Sequence, residues 1–202
     1  MVLAGILSAT AGLPYGTAGL VLAAFFIFFF RDPERAITSK DRAVLSPADG
    51  RVMVAGVPTG EQTPPGTWQQ ITIFLSPMDV HVNRMPVGGR VTKVSYHPGR
   101  FLPAYKAEAG DLNEHTEVWV DHGDQTIVVR QIVGVLARRI VCRTTEGAIV
   151  KAGERFGVMK FGSRMDVFLP PDAAILAKVG DRVVAGVTLI AELGAVGRAG
   201  AR

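Results

Sequence analysis

From residue 43 onward the chain is mostly short runs of strand character. Residues 50–55, 70–75, 89–94, 117–120 and 125–130 alternate apolar and polar side chains or carry brief β-branched stretches, the pattern of half-buried strands. Asp121-His122-Gly123-Asp124, between the last two, reads as a hairpin turn with a solvated His122. Residues 131–143 fit strand or helix by period, and their β-branched content favours strand. Residues 174–191 repeat strand, Gly-Asp, strand, Gly, strand, a rhythm of barrel-sandwich folds. The expectation is a mainly β domain, a β-sandwich or barrel-sandwich, over residues 36–202. Residues 58–67 read as a surface loop. Residues 99–116 read as an irregular, flexible flap over an active site, and His97, before Pro98-Gly99, as a turn residue. The Gly/Ala-rich tail after Leu193 is expected to fray.

Residues 1–30 hold no charged side chain and end in a phenylalanine-rich run, Phe25-Phe26-Ile27-Phe28-Phe29-Phe30. A membrane-crossing helix needs about 20 apolar residues, so this segment has the length. Gly12, Pro14, Gly16 and Gly19 interrupt it, and a helical hairpin or two interfacial helices fit equally. No basic residue precedes the apolar run and no small-residue cut site follows it, which argues against a cleaved signal peptide. Arg31, Arg35, Lys40 and Arg42 come after it, which places the body on the cytoplasmic side of the cell membrane, held peripherally or by its amino terminus. Residues 1–35 are thus expected to be a hydrophobic helical membrane anchor. The net charge of +4 is a mild basic excess that suits an anionic membrane surface. No dense Lys/Arg run or aromatic–basic alternation supports nucleic-acid binding. Cys142 is the single cysteine, so no internal disulfide forms, and it reads as a small buried residue. The four histidines are scattered and suggest no metal site. The chain could also form a homo-oligomer.

One dipeptide carries unusual chemistry. In Met159-Lys160-Phe161-Gly162-Ser163-Arg164, the Gly162 carbonyl has no side chain shielding it from the next hydroxyl, and glycine tolerates the strained backbone that an attack requires. Attack by Ser163 Oγ would turn the amide into an ester. Elimination and hydrolysis would then leave a pyruvoyl group, an electrophilic cofactor made from the chain itself.

Other segments keep this dipeptide company. Phe28-Phe29-Phe30-Arg31-Asp32-Pro33-Glu34-Arg35 follows the apolar run, and Ser46-Pro47-Ala48-Asp49-Gly50 comes next. Leu75-Ser76-Pro77-Met78-Asp79-Val80-His81-Val82-Asn83-Arg84-Met85-Pro86 and Lys160-Phe161-Gly162-Ser163-Arg164 complete the set. In this order and spacing the chain resembles the short, single-domain form of the phosphatidylserine decarboxylase proenzyme family, over almost its whole length. The resemblance implies self-cleavage at Gly162-Ser163 into a β chain of residues 1–162 and an α chain of residues 163–202 that stay associated. It implies a pyruvoyl cofactor derived from Ser163 that forms a Schiff base with phosphatidylserine, loss of carbon dioxide and release of phosphatidylethanolamine.

The resemblance also assigns residues. Asp49 would orient a histidine during self-cleavage, and His81 would be the acid/base. Longer family members carry a second histidine three residues after the first; here that position is Arg84. The base is therefore open between His81 and His115, and Arg84 is a candidate donor to the lipid phosphate or carboxylate, or a structural ion pair. Two other classes compete. A biotinyl or lipoyl carrier domain would use Lys160 in a Met-Lys hairpin, and a non-enzymatic membrane-anchored adaptor would use only the β domain. Against the carrier, Lys160 is followed by Phe161-Gly162-Ser163 and not by a symmetric Met-Lys-Met turn, and residues 1–40 are not needed; the adaptor leaves Asp49, His81 and Ser163 without a purpose.

Overall fold

The computed structural model describes residues 13–38, 40–58, 61, 63–136, 139–160 and 162–194. It separates into two compact units, residues 1–33 and 34–202. In the first, helix α1 covers Leu13–Phe29. Gly16 and Gly19 do not break it, and Leu20, Val21, Leu22, Phe26 and Ile27 are all exposed. Seventeen residues at 1.5 Å each give about 26 Å, short of the roughly 30 Å hydrocarbon core of a bilayer. No helix among the described residues is long and apolar enough to cross a membrane, so the β part of the expected fold is seen and the helical membrane anchor is not. Residues 1–12 and the tail 195–202 lie outside the described residues.

The second unit is mainly β, as the alternation predicts. Its strands are β1 (Ala43–Leu45), β2 (Gly50–Gly56), β3 (Gln69–Leu75), β4 (Val82–Arg84), β5 (Gly89–His97), β6 (His115–His122) and β7 (Gln125–Ile132). Then follow β8 (Ile140–Cys142), β9 (Ile149–Val150), β10 (Arg155–Met159), β11 (Ser163–Leu169), β12 (Ala174–Ile175), β13 (Arg182–Val183) and β14 (Leu189–Glu192). They form an eight-stranded sheet in the order β13-β2-β3-β11-β7-β6-β5-β9, and two three-stranded sheets, β1-β14-β12 and β4-β10-β8. The ambiguous stretch 131–143 is strand at both ends, with an irregular segment between β7 and β8.

Strand β11 lies inside the large sheet. It pairs with β3 from Ser163↔Leu75 to Leu169↔Gln69 and with β7 from Arg164↔Ile132 to Phe168↔Val128. Successive side chains leave a strand on opposite faces. Met165, Val167 and Leu169 point one way and join Ile71, Ile73, Leu75, Ile127, Val129, Met159 and Phe156 in the core. Arg164, Asp166 and Phe168 point the other way, and every residue of β11 is buried. The polar face is buried because residues 98–114 fold over it, with a single helical turn, α2 (Ala109–Leu112), in their midst.

That cover is fastened at several points. Asn113 accepts a hydrogen bond from Leu102 N at 2.8 Å and donates to Leu102 O and Val133 O at 2.8 and 2.9 Å. Arg100 N donates to Leu112 O and Glu114 N to Arg100 O, so the expected flexible flap is irregular but tied down. Under it runs a polar ladder. The register sets Glu117, Arg130, Asp166 and Thr72 in one row across β6, β7, β11 and β3. Arg130 bonds Glu117 Oε1 at 3.0 and 2.6 Å, and Arg164 grips Asp166 in a bidentate pair at 2.7 and 2.9 Å. Thr72 Oγ1 donates to Asp166 at 2.8 Å.

Two local expectations are corrected. His97 is the last residue of β5, not a turn residue. His122 is half-buried at the end of β6, with its Nδ1 2.6 Å from Gly88 O. Cys142 is partly buried against the core.

Breaking a buried ion pair from one side leaves a charge without its partner, at a cost of about 3–5 kcal/mol. Asp166→Ala, made in an uncleaved Ser163→Ala chain, is therefore expected to lose stability of that order in urea unfolding. A loss below about 1 kcal/mol, the worth of an exposed pair, would show that the ladder does not stabilise the sheet.

Candidate active site

The Gly162–Ser163 peptide sits where β11 begins. Gly162 has φ +74°, in the left-handed region that glycine enters at little cost. Ser163 is fully buried and is already paired with Leu75. Its Oγ has no hydrogen-bond partner among the described residues. A buried hydroxyl left unpaired costs about 1–3 kcal/mol, so its presence needs a reason. Phe161 lies outside the described residues.

His81 meets this bond from the small sheet. It immediately precedes β4, it is 3% exposed, and its backbone oxygen accepts a bond from Met159 N. The Gly162 N–H donates to His81 Nε2 across a long 3.4 Å, so that nitrogen turns its lone pair to the peptide just before the scissile bond. Asp79 holds the approach: one oxygen accepts from Ser76 N at 2.8 Å and the other from Arg182 Nη2 at 2.8 Å. Behind the site, Gln131 Nε2 donates to Asn83 Oδ1 at 2.8 Å and joins the small sheet to the large one.

The other residues singled out from the sequence lie elsewhere. The Asp49 carboxylate pairs with Arg35 at 2.9 Å and accepts the Ala185 N–H at 2.8 Å. Both its oxygens are engaged, and among the described residues it meets no imidazole. It joins a segment before the scissile bond to one after it. Arg84 is 4% exposed and donates to Gly153 O at 3.0 Å, so its guanidinium lies within the fold and not on a lipid-facing surface. His115 stands in the register row His115–Ile132–Arg164. Ser163, one residue from Arg164, projects from the opposite face of the sheet. The sheet thus separates His115 from the Ser163 hydroxyl, and His81 is the histidine at the bond.

Gly134 completes the site and was missed in the sequence. A Cβ there would lie 2.4 Å from Gly162 O and 3.3 Å from Ala104 Cβ. The backbone at 134 therefore packs directly against the carbonyl to be attacked, and only glycine leaves the room. A signal was present: a lone glycine in the β-branched run Ile132-Val133-Gly134-Val135 marks close backbone approach. Gly110, in the cover, plays a similar part, since a Cβ there would lie 2.8 Å from the Arg164 guanidinium. No local pattern marked Asn113.

These features agree with the comparisons. The family model for phosphatidylserine decarboxylase matches residues 22–191. Three curated relatives carry the name phosphatidylserine decarboxylase proenzyme. That of Symbiobacterium thermophilum is 46% identical over 85% of this chain and 80% of its own. That of Pelodictyon phaeoclathratiforme is 43% identical over 87% of this chain and 82% of its own. That of Prosthecochloris aestuarii is 40% identical over 90% of this chain and 83% of its own. With a match across most of its length and a buried Gly-Ser bond at a strand start beneath a histidine, the chain belongs to the phosphatidylserine decarboxylase family.

Proposed function

We propose that the chain is a proenzyme that cuts itself between Gly162 and Ser163 and then converts phosphatidylserine to phosphatidylethanolamine and carbon dioxide. One observation carries this reading: a buried, unbonded serine hydroxyl directly follows a left-handed glycine whose own N–H reaches an imidazole nitrogen.

In the first step His81 Nε2 takes the Ser163 Oγ proton while Oγ bonds to the Gly162 carbonyl carbon. The carbon–nitrogen bond breaks and the proton passes to the departing amine, which leaves an ester. Loss of the Ser163 Cα proton then expels the Gly162 carboxylate as the Cβ–Oγ bond breaks. Addition of one water and loss of ammonia leave a pyruvoyl group on residue 163.

The residues present fit that group. Ser163 Oγ has no hydrogen bond to lose, and Leu75 and Met165, both fully buried, wall the position from bulk water. Dryness matters, because hydrolysis of the ester would give an ordinary serine terminus. The group supplies an electrophilic carbonyl and an electron sink for the pair released with carbon dioxide. His81 Nε2 stays at the same point and can return a proton there. Arg164, gripped by Asp166, fixes the backbone one residue away.

The pieces stay together after the cut because the α chain is woven through the body. Strand β11 keeps its partners on both sides. Ser46 N donates to Thr188 O at 2.8 Å, Leu193 N to Arg42 O at 2.9 Å, and Arg42 Nη2 returns a bond to Leu193 O at 2.8 Å. Helix α1 gives the enzyme its lipid surface. A helix apolar all round is unsuited to water and suits a lipid interface. Arg31 and Lys40 follow it and suit an anionic leaflet on the cytoplasmic face.

Ser163→Ala is expected to give a folded, inactive chain running as one band, where the parent gives residues 1–162 and 163–202. A split at residue 162 in that variant would exclude Oγ as the nucleophile. Gly134→Ala should fold with an unchanged circular dichroism spectrum yet cleave at least ten-fold more slowly, about 1.4 kcal/mol of added barrier. Parental cleavage kinetics would remove Gly134 from the site. The double variant Leu22→Glu/Phe26→Glu should cleave normally but no longer float with anionic vesicles. Undiminished flotation would place lipid binding elsewhere.

A further inference from the structure

On the face of the large sheet away from the Ser163 side chain, three residues of ligating type stand together. His115 and Glu117 are two apart on β6, so they share a face. His97 is the direct cross-strand partner of His115. One ligating atom from each lies within 4.8 Å of the other two, and His97 Nε2 is 3.9 Å from Glu117 Oε2. We propose that His97, His115 and Glu117 bind a zinc-class divalent transition-metal ion that clips together the two ends of the segment 98–114. The histidines look scattered in sequence; the pairing of β5 with β6 brings two of them side by side.

The surroundings prepare these atoms for a metal. His115 Nδ1 lies 2.8 Å from Asn113 O, which places its proton on Nδ1 and the lone pair on Nε2. Burial above all lowers the His115 pKa, against the opposing bond to Asn113 O. Glu117 Oε1 is taken by Arg130, which leaves Oε2 turned toward His97 with only a long 3.4 Å bond from Trp119 Nε1. Burial pushes the Glu117 carboxyl up, but the bonds and charge of Arg130 outweigh it and hold the group below its usual range, ionised. The His97 side chain is 46% exposed, so the site is open on one side to an ion and its waters.

Two imidazoles and one carboxylate suit zinc, iron, nickel or copper better than magnesium or calcium, which prefer all-oxygen sets. The two rings now stack at 4.6 Å and 13°. Ligation requires the half-exposed His97 ring to turn out of that stack and aim Nε2 at the ion, beside Ser95 Oγ, now 3.2 Å away. His97 ends β5 and His115 begins β6, so the ion would fasten the base of the segment that covers Arg130 and Arg164.

The test uses the full, tag-free chain after chelator treatment. It is titrated with cobalt(II) chloride and zinc chloride, followed by calorimetry and visible absorption. One equivalent of cobalt should bind with ligand-field bands, zinc should displace it, and His97→Ala should weaken binding at least about ten-fold. Zinc should raise the Tm of the parent and slow trypsin cleavage after Arg100 and Lys106. Absence of binding, or equal affinity in His97→Ala and the parent, overturns the site. Binding that leaves trypsin cleavage unchanged overturns the clip.

Discussion

A chain that breaks its own backbone must hold both sides of the break before the bond goes. Here that requirement is met by starting β11 at the residue after the bond. Ser163 already faces Leu75 in register, and β11 is flanked by β3 and β7. The peptide before it turns through a left-handed glycine, so the bond to be cut lies at the strand's end. Cutting there breaks the chain at the end of the strand, and the pairing from Arg164 to Leu169 lies beyond it. Asp49, Arg42 and Ser46 add further ties between segments before and after the cut.

The two faces of β11 divide the labour. The core face carries Ser163 among apolar side chains, where the hydroxyl is dry and His81 approaches from the small sheet. The far face carries charges that a sheet does not bury without pairing. Arg164–Asp166 and Arg130–Glu117 pair within the sheet. Carbonyls of the cover take the remaining donors: Gly110 O accepts from Arg130 Nη1 at 3.2 Å and Ala107 O from Arg164 Nη1 at 3.5 Å. Asn113 then ties the cover to Val133, the residue before Gly134. Position 134, against the scissile carbonyl, is thus linked through Asn113 to the segment over the charged ladder.

Strands were legible where alternation met the core, as in β2, β3, β6 and β7, because period-two patterning is a local property of the chain. The Gly162–Ser163 bond and His81 were legible as members of an ordered set of motifs. What the sequence hid depends on register. Nothing local says that His115 and Ser163 lie on opposite faces; that follows from Arg164 pairing with Ile132 and Ile132 with His115. Asp49 reads as a partner for histidine, yet folding brings it Arg35 and Ala185. Helix α1 was legible as an apolar run, and its described part covers 17 residues.

Intact-mass measurement of the purified, catalytically active protein tests the central claim most directly. The account predicts two species, residues 1–162 and an α chain of residues 163–202 lighter by one ammonia than a serine-initiated peptide. An active preparation containing only the uncut 202-residue chain, or an α chain with an unmodified serine terminus, would contradict it.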